Sequence, residues 1–407
     1  MISISEAKKI IDDNIVKTTL TEPILLEDAF GRALAHDAKS DVDVPPFNRA
    51  TMDGYAVVSS DGAGEYEVIE YVPAGVFPTK RLEKGYVTRI MTGAPVPEGA
   101  DAVVQVEKTG GFVEVGEKAE IKADLKSGQN ISPHGEDVKT GDMVLEGGSR
   151  ITAPESATLA TAGHDPVTVF KLPTVAILST GDEVIEPCEK PVPGQIRNSN
   201  AYSLKSQAVD IGLSPDLIGI AQDTEENLTE KIMEGAKRDF LLVSGGVSAG
   251  DRDMVPRILE KAGYKILLHK VAVKPGKPLV FGVAEGAEGP RYVFGVPGNP
   301  VSGLVIFELF IKPAILKWMG FSNTKHFIVN APLADGFKRK KADRVEYIPV
   351  RLEWAGEGFV AHRIKYHGSG HMHALTRANG LYKTPKGVTE VAPGHTGEVV
   401  VLKYGWR

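Results

Sequence analysis

"LLVSGGVSAGDRDMV", residues 241–255, runs from an apolar segment through a loop of small residues into the start of an amphipathic segment. The apolar part, within "DFLLVSGG", reads as a buried strand stopped by glycine, and "DMVPRILEKAG" reads as a helix. The alternation extends to both sides. Upstream lie the strand "TVAILST", the helix "NAYSLKSQAVDIG" ending in Gly212, the strand "DLIGIA" and the helix "TEENLTEKIMEGAK". Downstream, "KILLHKVAV", "PLVFGVA" and "RYVFGVPG" read as strands, and a long helix is predicted from Pro300 to Met319. This pattern over 172–320 predicts a doubly wound α/β domain, a fold that takes its ligands at the carboxyl ends of its strands.

The flanks read differently. Ser3 and Glu6 fit a capping box opening a helix over 3–14, and "LLEDAFGRALA" predicts a second helix over 25–35. A third is expected at 153–163, with Pro154 in its first turn and Gly163 at its end. Together 1–45 and 138–171 make an N-terminal helical and extended linker domain. Between them, 46–137 carries short alternating segments such as "YEVIEYV" and "DAVVQVEK" punctuated by Gly and Pro, the texture of an inserted β domain. After Gly320, residues 321–407 return to β texture. The fold class is therefore multidomain, α/β plus β.

Composition narrows the setting. The chain of 407 residues has room for about two to four domains. A net charge of −6, with no Lys/Arg block set against it, argues against non-specific nucleic-acid binding. A single cysteine, Cys188, excludes an internal disulfide and a thiolate-based zinc site. No apolar run approaches membrane-spanning length, and "MISISEAKKIIDDN" is no signal peptide, so a cytoplasmic protein is expected.

Four loops follow strands of the α/β domain and should converge on one crevice: "STGDEV", "AQDTEEN", "SGGVSAGDRD" and "PGNPVSG". Singly each has a plain explanation, such as a tight turn at Ser-Gly-Gly, a helix cap at Asp223 or an ordinary helix start at Asn299-Pro300. Jointly they assemble a chemistry. Ser244, Gly245, Gly246 and Ser248 offer donors without bulk, and the helix start at Asn299 favours an anion. "KPGKP" adds Lys274 and Lys277 on a proline-stiffened turn. Against these stand Asp182, Glu183, Asp223, Asp251 and Asp253. Two carboxylates about 4 Å apart repel by roughly 4 kcal/mol near a protein surface, which sets them against a phosphate unless a cation intervenes. Oxygen ligands without thiols fit Mg²⁺.

Elsewhere, "PPFNRATMDGYAV" puts Asp53 in a turn, "RIMTGAPVPEGADAVVQVE" puts Thr92 and Gly93 on a loop with Glu107 beyond, and Asp137 in "GEDV" reads as structural. His367, His371 and His373 lie in a glycine-rich loop whose spacing matches no helical zinc pair.

Taken in order, "RATMDGYAV", "IMTGAPVPEGADAVV", "GEDV", "STGDEV", "GQIRNSN", "SGGVSAGDRD", "KPGKP" and "PGNPVSG" resemble the molybdopterin molybdenumtransferase family, the MoeA-type proteins related to the C-terminal part of gephyrin. The resemblance covers essentially the whole chain, and 172–320 alone resembles the molybdopterin-binding fold shared with molybdopterin adenylyltransferases. It implies a homodimer that joins molybdate, or tungstate, to adenylylated molybdopterin with Mg²⁺, releasing AMP and molybdenum cofactor. It implies a functional cleft containing Asp53, Thr92, Asp137, Glu183, Asp223, Asp251, Lys274 and Lys277, with Pro297, Gly298, Asn299, Pro300 and Ser369 on the substrate. Asp251, Asp223 and Glu183 become the metal ligands. Because the β domain of one subunit lies over the α/β domain of the other in such proteins, Asp53 and Thr92 are expected to serve the partner's crevice. A molybdopterin adenylyltransferase and recipient molybdoenzymes become its expected partners. Ala50-Thr51 stands where the family usually has Ser-Ala, and the loop around Ser369 is unusually His-rich.

Two other functions fit parts of the chain. An ATP-dependent adenylyltransferase needs only the α/β domain, leaving 1–171 and 321–407 without a role. A non-enzymatic dimeric scaffold calls for docking tails or a Pro/Ser-rich linker, which the sequence lacks.

Overall fold

Every residue of the strand Val175–Thr180 is buried, because helices cover both faces of the sheet it belongs to. In the computed structural model, which describes residues 1–247 and 254–402, this strand pairs in parallel with Asp216–Ala221 on one side and Phe240–Ser244 on the other. Arg291–Val296 continues the parallel run, and Pro278–Ala284 and Lys265–Lys270 complete six strands in antiparallel sense. Side chains alternate between two cores. Ile177, Leu242 and Phe294 meet the helix Ser199–Val209 and the C-terminal helix, whereas Ala176, Leu178, Val243 and Val293 meet the helices Glu225–Gly235 and Met254–Lys261. From Val175–Thr180 the chain first adds Asp216–Ala221 on one side and then Phe240–Ser244 on the other, and this switch in strand order opens a crevice at the carboxyl ends. The predicted helix from Pro300 runs as Pro300–Ile306, a π-helical stretch Phe307–Ile311, and Lys312–Trp318.

The inserted β domain is a five-stranded sheet containing Gly54–Val57, Gly64–Val72 and Tyr86–Ile90, with Tyr55, Val57 and Val68 packed on one face and Ala56, Val72 and Ile90 on the other. Ser3 caps the helix Ile4–Asn14 by accepting the Glu6 N–H at 3.1 Å, and Thr152 caps Ala153–Thr161 in a full capping box with Glu155. The helix predicted at 25–35 is absent. Only the single 3₁₀ turn Leu26–Asp28 forms, because the Leu34 and Ala35 N–H groups bond instead to the Ser149 and Thr168 carbonyls. Tertiary pairing overrides helix propensity there.

The C-terminal β domain holds a second departure. Its six-stranded sheet begins with Val273–Lys274, whose first residue was read above as the end of an α/β strand and whose second as the start of the KPGKP turn, and which pairs in parallel with Val345–Trp354. The central-sheet strand stops at Lys270 after two register shifts, and the chain crosses to the other domain before the KPGKP turn. No helix among the described residues is long and apolar enough to cross a membrane.

Candidate active site

The carboxyl-end loops open onto one cleft of about 1970 Å³ whose opposite wall is the C-terminal domain. Its floor is Ser244–Gly246. Gly245 has φ +96°, and a Cβ there would lie 2.7 Å from the Thr180 carbonyl oxygen and 2.8 Å from its hydroxyl, so only glycine fits. Asn200 ties this loop to the next. Its Nδ2 donates to Ser244 Oγ at 2.7 Å and to the Gly298 carbonyl at 2.8 Å, and the carbonyl, a pure acceptor, fixes which way the amide faces. Asn198, two residues earlier, caps the helix Ser199–Val209 and accepts the Ser179 hydroxyl at 2.8 Å. The segment "RNSN" thus clamps two loops, a role that spacing alone does not reveal.

The acidic residues come together as expected in part. Asp182, Glu183 and Asp223 line the cleft, all exposed. Asp182 Oδ1 accepts the Asp223 N–H at 2.9 Å, tying the first and second loops. The cap of the following helix is Thr224, which accepts the Asn227 N–H, so Asp223 is not spent on that task. Asp251, Asp253 and Ser248 lie outside the described residues. No group of three His, Cys, Asp or Glu side chains with metal-ligating geometry forms among the described residues. His367 and His371 instead stack ring on ring at 5.2 Å.

The cationic side is richer than expected. Gly276, at φ +111° and with a would-be Cβ 2.7 Å from Ile306 Cγ1, lets the KPGKP turn fold tightly against the long helix and brings Lys274 and Lys277 into the cleft. Facing them are Lys338, Arg339, Lys340, Lys341, Arg344 and Arg363 of the C-terminal domain. The run 338–341 is a basic block after all, directed at one cavity and diluted in the net charge. Glu346 lies beneath it, bonded to Lys274 at 2.7 Å and to Arg339 at 3.2 Å. Burial, helped by the Glu346 charge, pushes the Tyr366 hydroxyl beside it up to about 12.

Pro297, Gly298, Asn299 and Pro300 line the cleft where the long helix begins. One amide of its first turn is already satisfied, since the Val301 N–H donates to the Ser369 carbonyl at 3.1 Å. Ser369 therefore joins the C-terminal loop to the helix start.

Three expected residues do not line this cleft: Asp53, Thr92 and Asp137. Asp53 and Thr92 nevertheless find each other. The Thr92 N–H and Oγ–H both donate to Asp53 Oδ1, at 2.7 and 2.6 Å, and these bonds hold the Asp53 carboxyl below its usual range. Asp137 sits exposed where the chain leaves the β domain, its N–H given to the Val44 carbonyl.

The chain matches the MoeA N-terminal region (domain I and II) over residues 2–163, a probable molybdopterin binding domain over 176–317 and the MoeA C-terminal region (domain IV) over 330–402. A Staphylococcus epidermidis protein named molybdopterin molybdenumtransferase is 34% identical over 99% of this chain and 96% of its own length. A Bacillus subtilis protein of the same name is 36% identical over 94% of this chain and 90% of its own. The crystal structure of a molybdopterin biosynthesis moeA protein from Pyrococcus horikoshii OT3 is similar with a TM-score of 0.83 at 30% identity, covering 98% of this chain and 100% of that one.

Proposed function

We propose, for a chain that belongs to the molybdopterin molybdenumtransferase family, that its crevice is the site of metal insertion into molybdopterin in molybdenum cofactor biosynthesis. The chain is then a transferase. Its substrate is adenylylated molybdopterin, the metal arrives as molybdate or tungstate, and AMP and molybdenum cofactor leave. The observation that carries this reading is the facing of two unlike walls across one cleft: glycine-rich loops and carboxylates on the α/β side, a cluster of cations on the other. A nucleotide's phosphates suit the first wall and an incoming oxyanion the second.

The residues divide accordingly. Ser244, Gly245, Gly246 and the neighbouring Ser248, with Pro297 to Pro300, cradle the phosphates. Lys277 meets the oxyanion beside Lys274. Glu183 and Asp223 present only oxygen donors, a set that fits a hard divalent cation such as Mg²⁺, and Asp251 would complete it. When bound, that cation supplies charge neutralisation at the phosphates. The chain's own work is to orient two anions against each other, so positioning and electrostatics account for the catalysis without a covalent nucleophile. Asp53, Thr92 and Asp137 enter from a second copy, in a homodimer whose β domain covers the partner's crevice. The setting is the cytosol, and the exchange partners are a molybdopterin adenylyltransferase and recipient molybdoenzymes. ATP-dependent adenylylation is not favoured, since the similarity to molybdenumtransferases spans the flanking domains as well.

Purified chain given adenylylated molybdopterin, Mg²⁺ and molybdate should release AMP only when the oxyanion is present. Asp251→Ala should abolish that release while circular dichroism stays unchanged. Near-normal turnover by this variant rejects the metal role, and AMP release indifferent to oxyanion rejects the function.

A further inference from the structure

We propose that Glu346, backed by Arg339, is a positioning residue for Lys274 that splits the two lysines of the KPGKP turn into separate roles. It rests on the reading that the crevice binds an oxyanion. Strand register sets the geometry: Lys274 lies directly opposite Glu346 in the parallel pair that joins the two domains. Glu346 is 7% exposed, and a carboxylate so covered is costly unless paired. It is paired twice, with Lys274 Nζ at 2.7 Å and Arg339 Nη1 at 3.2 Å.

Arg339 cannot leave to meet a ligand. Its Nε donates to the Val388 carbonyl, Nη1 to the Arg344 carbonyl at 3.2 Å and Nη2 to the Pro385 carbonyl. It lines the cleft as an anchor. Arg344 reinforces the junction by donating from Nη1 to the Val273 carbonyl at 3.3 Å. Fixed from behind, Glu346 holds one N–H of the Lys274 ammonium and leaves two for the cleft, where this side chain remains 44% exposed. Two cations and one carboxylate leave this array a single net positive charge with a set direction. Lys277, by contrast, has no ion-pair partner among the described residues and lines the same cleft. Lys277 is the cation that follows the anion; Lys274 is the one held in place for it.

The test is a double-mutant cycle on the full-length protein, reading the Kd for molybdate by calorimetry alongside kcat and KM of AMP release. Glu346→Gln should weaken molybdate binding about tenfold and raise KM in proportion, with kcat changed less than about twofold. Added to Lys274→Ala it should cost nothing further, whereas with Lys277→Ala the two losses should multiply. Glu346→Asp, which keeps the charge, should recover part of the affinity. A Kd within twofold of wild type for Glu346→Gln, or full additivity with Lys274→Ala, overturns the assignment. Should Glu346→Gln fail to fold, the cycle is run on Glu346→Asp, whose partial loss should vanish in the Lys274→Ala background; no loss, or the same loss in both backgrounds, overturns the assignment. A wild-type chain that binds no molybdate overturns the function reading together with this inference, whereas binding with no response to position 346 overturns this inference alone.

Discussion

Asp53 in the β domain and Glu346 in the C-terminal domain are both carboxylates held by neighbouring donors, yet they are built in opposite ways. Asp53 is exposed and satisfied by one residue, Thr92, whose N–H and hydroxyl both point at it. Glu346 is buried and satisfied by two cations from two different strands and loops. The first arrangement is complete within its own turn and stands away from the crevice of its own chain. The second exists only because two domains share a sheet. A local pair can be carried on a surface to wherever a second copy presents its cleft; a pair bridging domains must work where it is made.

The largest effect should come from Gly245→Ala, at the floor of the cleft. A positive φ at a non-glycine residue costs about 1–2 kcal/mol, and the new methyl would also meet Thr180. Oxyanion-dependent AMP release should fall at least about a hundredfold, with a lower melting temperature by calorimetry. Next comes the comparison itself. Chains carrying Asp53→Ala and chains carrying Lys277→Ala, each with little activity at low molybdate, should regain about a quarter of wild-type activity there when unfolded together and refolded as mixed dimers. No recovery places Asp53 outside any shared site. Lys277→Ala alone should raise the KM for molybdate about ten- to a hundredfold, more than Glu346→Gln does, as steady-state kinetics would show. The smallest effect is a titration. Because Thr92 depresses the Asp53 carboxyl, the stability this pair contributes is complete above the ordinary carboxylate range and is lost only as pH falls through the depressed value. Carbon-detected NMR should find the Asp53 midpoint below that range, and Thr92→Val should raise it.

Much of the α/β domain is legible in the chain because its strands are buried on both faces and its helices begin at capping side chains, Asn198 and Thr224 among them. Its four loops follow from strand ends, which is why Glu183, Asp223, Ser244 and Asn299 group together in the sequence alone. What was illegible depends on contacts between distant segments. The 25–35 segment has helical periodicity but gives its amides to 149 and 168. Val273 looks like the end of one strand and Lys274 like the start of a turn, yet together they act as the start of another sheet. Lys338 to Lys341 form a plain basic run, but the cavity they face comes only from the fold, and Glu346 in "DRVEYIPV" has no local mark at all. Asp53 and Thr92 are visible only through resemblance, because their turn is plain chemistry until another molecule is considered.

Val273 and Lys274 also limit how this protein could be dissected. A shortened version ending at Gly320 would keep every residue of the glycine-rich loops at the strand ends, yet strand Val273–Lys274 would lose its neighbour Val345–Trp354. Bare backbone at such an edge invites sticking between molecules. The boundary that gene fusion or modular recombination would choose by eye therefore runs through the cleft, and the last β domain has to be inherited with the rest.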